Sequence, residues 1–330
     1  MIVSKTPLRV NFLGGGTDFP AYFKNSPGAV LGTTVNKYVY INSLPLSGMS
    51  EQKYRLTYRK VESVDTVDEI THPVVRECLK LYGMTDPLSI GTMSDLPGGT
   101  GLGSSSSFTV GLINLLHKIK QLPITRKALA EEAINLERNI LNEVGGVQDQ
   151  YHAAFGGLSK YEFRGNKTSI YPLNCPKSRL DLLDKSMFLV YTNVQRSASD
   201  VSTSQEKRTK LGNNDEYLKL MYEMVDQGVQ ILETPGDDVS ALTEFGNLLK
   251  TGWDLKKNLS DSVSNSNINE IYNTGIEMGA WGGKLLGAGG GGFVLFLGNE
   301  NLYSQLLSAF GKDFVLKVNL EFNGTQVFSL

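Results

Sequence analysis

The chain has 330 residues, a formal net charge of −2, and 40% hydrophobic and 20% charged residues. It is too apolar to be disordered and too long for one typical domain, so two lobes are expected, over 1–180 and 181–330. No broad positive field exists to attract nucleic acid or an anionic membrane, and the two cysteines, Cys78 and Cys175, sit in no CxxC or Cys/His cluster, which argues against a disulfide framework or a zinc site.

The opening Met1-Ile2-Val3-Ser4-Lys5-Thr6-Pro7 lacks the uninterrupted apolar stretch of a signal peptide, and runs such as Phe293-Val294-Leu295-Phe296-Leu297 are too short to cross a bilayer. A soluble, cytoplasmic, enzyme-like chain is the expectation. In chain order, residues 8–13 and 35–44 are rich in β-branched and aromatic side chains between Gly and Pro clusters and read as strands, as do 54–61 and 88–93. Phe108, Leu112, Leu115 and Ile119 recur at helical spacing, so a helix opens at Ser104 or its neighbours. A second helix starts near Thr125, a suitable N-cap, carries Leu129, Ala133, Leu136 and Ile140 on one face, and stops at Gly145-Gly146. The pattern weakens around Pro172 and Pro176, where the lobe boundary is expected. Helices are then predicted over about 197–211, 216–233, 240–259 and 268–280, and strands over 293–297 and 314–320 flank a short helix.

Three glycine-rich clusters and two carboxylates carry the chemistry. The run Gly98-Gly99-Thr100-Gly101-Leu102-Gly103-Ser104-Ser105-Ser106-Ser107 follows a strand and opens a helix. Glycines let backbone amides point inward, and a helix N-terminus adds free N–H groups, so the run suits an anion, with serine hydroxyls for phosphate or Mg²⁺. It is not a Walker A loop, because Ser104 stands where that motif needs lysine; a flexible turn is the bland alternative. Gly287-Ala288-Gly289-Gly290-Gly291-Gly292 matches GxGxxG, but a strand follows it where the dinucleotide motif needs a helix, so close backbone approach is the better explanation. Gly14-Gly15-Gly16-Thr17-Asp18 ends the first strand with a carboxylate that can grip sugar hydroxyls or merely cap a turn. Glu137 falls toward the apolar face of its helix and needs either a basic partner, such as Arg138 or Lys127, or a bound Mg²⁺. Asp149 can accept a hydroxyl proton. His72, His117 and His152 share no metal-ligand spacing, and no GxSxG hydrolase elbow occurs.

With these three segments in order and Asp149-Gln150 after the second, the chain resembles the GHMP kinases, the family of galactokinase, homoserine kinase, mevalonate kinase and phosphomevalonate kinase. Pro7-Leu8-Arg9-Val10-Asn11-Phe12-Leu13 and the glycines after it resemble the sugar-binding motif, Leu96-Pro97-Gly98 onward the ATP-phosphate motif, and Lys284 to Gly292 the third. Galactokinases usually show GlyGluHisThrAsp in the first motif, so galactose is not implied. GlyGlyGlyThrAsp with Val147-Gln148-Asp149-Gln150-Tyr151-His152 is more similar to the D-glycero-D-manno-heptose 7-phosphate kinase branch, which phosphorylates the anomeric hydroxyl; the fucokinase-like branch is a neighbour.

The resemblance implies an α+β, two-lobe GHMP kinase fold: a ribosomal protein S5 domain 2-like N-terminal lobe that binds ATP, and a ferredoxin-like C-terminal lobe rich in helices. It implies that Asp149 is the catalytic carboxylate, with Arg9 beside it to stabilise charge on the transferring phosphoryl group. It further implies that Pro97, Gly98, Gly99, Thr100, Gly101, Leu102, Gly103, Ser104, Ser105 and Ser106 bind ATP, and that Ser105 and Glu137 ligate Mg²⁺. Gly15, Gly16, Thr17, Asp18, Gly289 and Gly290 would meet the sugar. A 7-phosphate would need a further cation, for which Arg196 is the first choice, after a strand and before a helix. The partner implied is a small sugar phosphate, with a homodimer left open, and the rival reading is a non-catalytic sugar-binding regulator on the same fold.

Overall fold

A computed structural model describes residues 1–48, 50–194 and 198–330, apart from the side chains of 198 and 199. The first lobe begins with β1 (Ile2–Leu13), α1 (Pro20–Phe23), β2 (Gly28–Pro45), β3 (Tyr54–Thr57), β4 (Val61–Val64), α2 (Pro73–Leu81) and β5 (Leu88–Ser94). It continues through α3 (Ser104–Ile119), α4 (Arg126–Asn135), α5 (Gln148–Phe155), β6 (Leu158–Arg164) and β7 (Lys167–Pro172). The second contains α6 (Lys177–Lys185), β8 (Met187–Tyr191), α7 (Ala198–Lys210), α8 (Asp215–Glu233), α9 (Asp238–Lys257), α10 (Ser266–Glu277), β9 (Gly282–Leu285), β10 (Phe293–Leu297), α11 (Glu300–Phe310) and β11 (Val315–Lys317). Two short strands, β12 (Leu320–Glu321) and β13 (Gln326–Ser329), close the chain.

The strands form two sheets. The larger has nine strands around the order β13-β1-β2-β5-β3-β4, with β12 and β6 also on β2 and β7 on β6. The smaller is antiparallel, in the order β11-β8-β10-β9. The lobes are therefore not divided at one point in the chain: β12 pairs with β2 and β13 with β1, so the last strands of the 181–330 segment belong to the first lobe's sheet.

Helix α3 lies on the larger sheet because it is apolar nearly all round; Val110, Leu112, Ile113, Leu115 and Leu116 are fully buried. Each buried leucine there contributes about 1.5–3 kcal/mol relative to exposure. The second core gathers around Trp253, Phe188 and Phe296. The lobes meet along an apolar seam where the Phe12 and Phe245 rings stand edge to face at 5.4 Å. Strand β1 is irregular between Pro7 and Leu8 and again between Asn11 and Leu13, and such breaks re-aim side chains. Arg9 and Asn11, between the two breaks, turn toward the cleft beside the seam. No helix among the described residues is long and apolar enough to cross a membrane.

Candidate active site

The cleft has a volume of about 580 Å³ and is lined from both lobes, including Arg9, Asp18, Gly101, Gly103, Ser104, Ser105, Ser106, Glu137, Asp149, Lys256 and Gly287. Its floor is the loop before α3. Gly99, Gly101 and Gly103 have φ of 74°, 83° and 74°, alternating with residues of negative φ. Such alternation turns successive amides to one side and makes a concavity for an anion. Gly103 is the N-cap of α3, and no side chain caps that end, so the amides of the first helical turn stay available to a ligand.

Arg9 crosses the back of this loop. Its Nε donates to Asp149 Oδ1 and its Nη2 to Asp149 Oδ2, both at 2.8 Å, and its Nη1 donates to the Gly101 carbonyl. The Arg9 amide donates to the Leu102 carbonyl at 3.0 Å. A bidentate guanidinium–carboxylate pair fixes the carboxylate in plane and position. Glycine is required at 103, since a Cβ would lie 3.1 Å from Arg9 Cγ and 3.3 Å from Asp149 Oδ2 at a φ of +74°.

Glu137 sits behind the serines, on a π-helical turn, Leu136–Ile140, that continues α4. The turn is an interruption of the kind often found at functional positions. The carboxylate is 1% exposed. Its Oε2 accepts from Ser106 Oγ at 3.0 Å and from Gln150 Nε2; Oε1 makes no hydrogen bond within 3.5 Å among the described residues, and the Thr109 hydroxyl lies near enough to the carboxylate to act against the effect of burial on its pKa. Arg138 comes only to 3.9 Å of Oε2, and its Nη1 and Nη2 donate to the Glu143 and Gly146 carbonyls; Lys127 lies beside Glu131. Burial raises the Glu137 pKa. An unpartnered buried carboxylate oxygen beside a serine hydroxyl is a donor set for a hard cation, and Mg²⁺ commonly takes only one or two carboxylates plus phosphate and water.

Asp18 forms the other end of the cleft. It is 1% exposed, and it accepts from the Gly16 amide at 2.9 Å and the Gln148 amide at 3.3 Å. Desolvation raises its pKa, with Asp149 adding to the effect. Gly146 makes room for it, since a Cβ there would fall 1.8 Å from Asp18 Oδ2. Ser202, Thr203 and Gln205 of α7 face this end from the second lobe, and Gln205 Nε2 is buried without a partner among the described residues.

Two family models match the chain: "GHMP kinases N terminal domain" over residues 69–157 and "GHMP kinases C terminal" over 238–315. A D-glycero-alpha-D-manno-heptose 7-phosphate kinase of Campylobacter jejuni is 32% identical across 94% of both chains. The chain belongs to the GHMP kinase family. A galactokinase of Pyrococcus furiosus is 25% identical, over 96% of this chain and 94% of its own. The fold agrees: a crystal structure of a D-glycero-D-manno-heptose 1-phosphate kinase from Bacteroides thetaiotaomicron superposes with a TM-score of 0.79 at 23% identity, covering 100% of this chain and 99% of that one. This GHMP kinase is a phosphotransferase, a sugar kinase by its full-length relatives.

The kinase brings together most of the residues singled out from its sequence, with corrections of detail. Ser105, expected with Glu137 to ligate Mg²⁺, lines the cleft from an exposed position, and Ser106 is the serine that bonds to Glu137. From the third motif, Gly287 and Ala288 face the cleft, not Gly289 and Gly290. Those two pack on Val263: the Gly290 amide donates to its carbonyl at 2.9 Å, and a Cβ on Gly289 would lie 2.7 Å from its Cα. Thr17 is fully buried and donates to the Gly14 and Ala29 carbonyls, so it shapes the turn without meeting the cleft. Thr100 and Leu102 are likewise buried under the loop, and Pro97 and Gly98 stand at its exposed tip. Arg196 lies outside the described residues.

Sequence reasoning missed Lys256. It lies three residues after Trp253 and seven after Leu249, on the buried stripe of α9, the same displacement of a charge onto an apolar face that marks Glu137. The histidines go to separate places: His72 beside Phe108, His117 beside Tyr82, and His152 edge-on to Tyr161 at 4.6 Å. Burial lowers the His152 pKa to about 3, so its ring is neutral packing.

Proposed function

We propose that this GHMP kinase transfers the γ-phosphoryl group of ATP to the anomeric hydroxyl of a heptose 7-phosphate, giving the 1,7-bisphosphate for nucleotide-activated heptose synthesis. The observation that carries the reading is the bidentate Arg9–Asp149 pair at the mouth of the glycine loop, with the free oxygen of Glu137 beyond the serines. The heptose acceptor rests on the Campylobacter jejuni relative at 32% identity.

Amides of the loop and of the first turn of α3 bind the nucleotide phosphates. Glu137 and the cleft-lining Ser105 would hold Mg²⁺, which when bound neutralises charge spread over the ATP phosphates. Asp18 accepts hydrogen bonds from sugar hydroxyls and turns the attacking oxygen toward Asp149. Asp149 aligns that hydroxyl and takes its proton, while Arg9 holds the carboxylate in place and balances charge on the phosphoryl oxygens.

Phosphorus NMR of the product formed from Mg·ATP with heptose 7-phosphate, fucose or galactose identifies acceptor and attacked hydroxyl together. A new anomeric phosphate on the heptose is expected; turnover of fucose or galactose instead would overturn the acceptor. Asp18→Asn is expected to raise the sugar KM about 10- to 100-fold, from loss of charge-assisted hydrogen bonds worth about 1.5–3 kcal/mol, with the ATP KM unchanged in steady-state assays. Glu137→Gln preserves shape and removes charge; kcat is expected to fall about 100-fold with a raised Mg²⁺ requirement. An unchanged Mg²⁺ titration would remove Glu137 from the cation site.

A further inference from the structure

Three basic side chains, Arg9, Lys256 and Lys284, are buried where the glycine loops meet, and only one has a carboxylate within ion-pair distance among the described residues. Arg9 holds Asp149. Lys284, on β9, does not face the cleft; its Nζ donates to Asn11 Oδ1 at 3.1 Å and the Phe12 carbonyl at 2.7 Å, tying the two sheets together. Lys256 does line the cleft, is 5% exposed, and among the described residues donates to a single acceptor, the Gly287 carbonyl. An ammonium has three N–H donors, so two are left over.

The place of Lys256 follows from its acceptor. A Cβ on Gly287 would lie 2.4 Å from Gly101 Cα, so the backbones of residues 101 and 287 touch. Arg9 donates to the Gly101 carbonyl and Lys256 to that of Gly287. The two cations thus flank one inter-loop contact at the edge of the phosphate cradle, and the first of them also holds Asp149. Burial, and then the charge of Arg9, pull the Lys256 pKa down to about 8, while Asp18 and Asp149 act against that fall.

We propose that Lys256 is a second catalytic cation, reaching from the C-terminal lobe to donate its spare N–H groups to the oxygens of the transferring phosphoryl group. The inference rests on the phosphotransfer reading and deepens it. As the bond from phosphorus to ADP breaks and that to the sugar oxygen forms, the hydroxyl proton goes to Asp149 and the electron pair of the broken bond stays on ADP. Lys256 keeps its proton and balances the charge on the phosphoryl oxygens.

The test is calorimetric titration of the whole protein with Mg·ADP, with and without aluminium fluoride as the phosphoryl mimic. Lys256→Met is expected to leave Mg·ADP affinity within about threefold and to weaken the fluoroaluminate complex about 100-fold, and Lys256→Arg to recover part of the loss. Equal fluoroaluminate affinity in wild type and Lys256→Met would overturn the proposal, as would equal weakening of both complexes, the mark of a collapsed site. The measurement needs no sugar, so its result stands apart from the identity of the acceptor. In turnover, Lys256→Met should lower kcat with little change in either KM; a raised KM confined to a phosphorylated acceptor would place the contact on the acceptor's own phosphate and overturn the assignment.

Discussion

Asp149→Asn should lower kcat by about 10²- to 10⁴-fold while Mg·ATP binds within about threefold of wild type. The carboxylate is the group that Arg9 grips through both oxygens, and its side chain keeps about a quarter of its surface open to the cleft. Asparagine can keep one of the two Arg9 hydrogen bonds but cannot take a proton. The proposed nucleotide cradle, residues 99–106, is untouched. Single-turnover kinetics alongside nucleotide titration separates the two effects, and wild-type turnover in the variant would remove Asp149 from the chemistry.

Gly287→Ala should cost at least about 100-fold in turnover, the scale of an ångström's displacement at a reacting centre. The new methyl would sit 2.4 Å from Gly101 Cα, backbone that no side-chain rotation can relieve, at a φ of +75°. The loops must part, shifting the carbonyls that hold Arg9 and Lys256. Gly279→Ala is the control: its φ is +90°, yet nothing lies within 4 Å of the added carbon. Both variants bear a left-handed alanine, worth about 1–2 kcal/mol and seen as a lower Tm, but only Gly287→Ala should lose activity. Matching activity losses would show that backbone strain alone, and not the inter-loop contact, is responsible.

The glycine clusters were legible in the sequence because a positive φ is nearly reserved for glycine, so runs such as 98–103 mark backbone that packs closely on something. Glu137 was legible because a charge on an apolar stripe needs a reason. Strands 8–13 and 88–93, the helix from Ser104 and the Thr125 cap also agree with the structure; the Thr125 hydroxyl accepts from the Ala128 amide at 3.2 Å. That Ser106 is the serine bonded to Glu137 was not legible, since adjacent helical residues differ by about 100° and only the packing of α3 on β1 sets the rotation. The π-helical turn at 136–140 has no compositional sign, and it moves Glu137 relative to a regular helix. Strands β12 and β13, of two and four residues with no fully buried side chain, are too short for alternation to show. Their return to β2 and β1 is a long-range pairing that local pattern does not encode.

That return constrains how the molecule can move. The polypeptide passes between the sheets twice, once after β7 and again after β11, so the helical half is held like a bag by two handles. Swinging it wide on a single pivot would require peeling β12 and β13 off their neighbours and drawing Lys284 from its socket on β1. Shifts of the loops around the rim would open the cleft with these pairings intact, and unfolding of either half should drag the other with it in one cooperative transition.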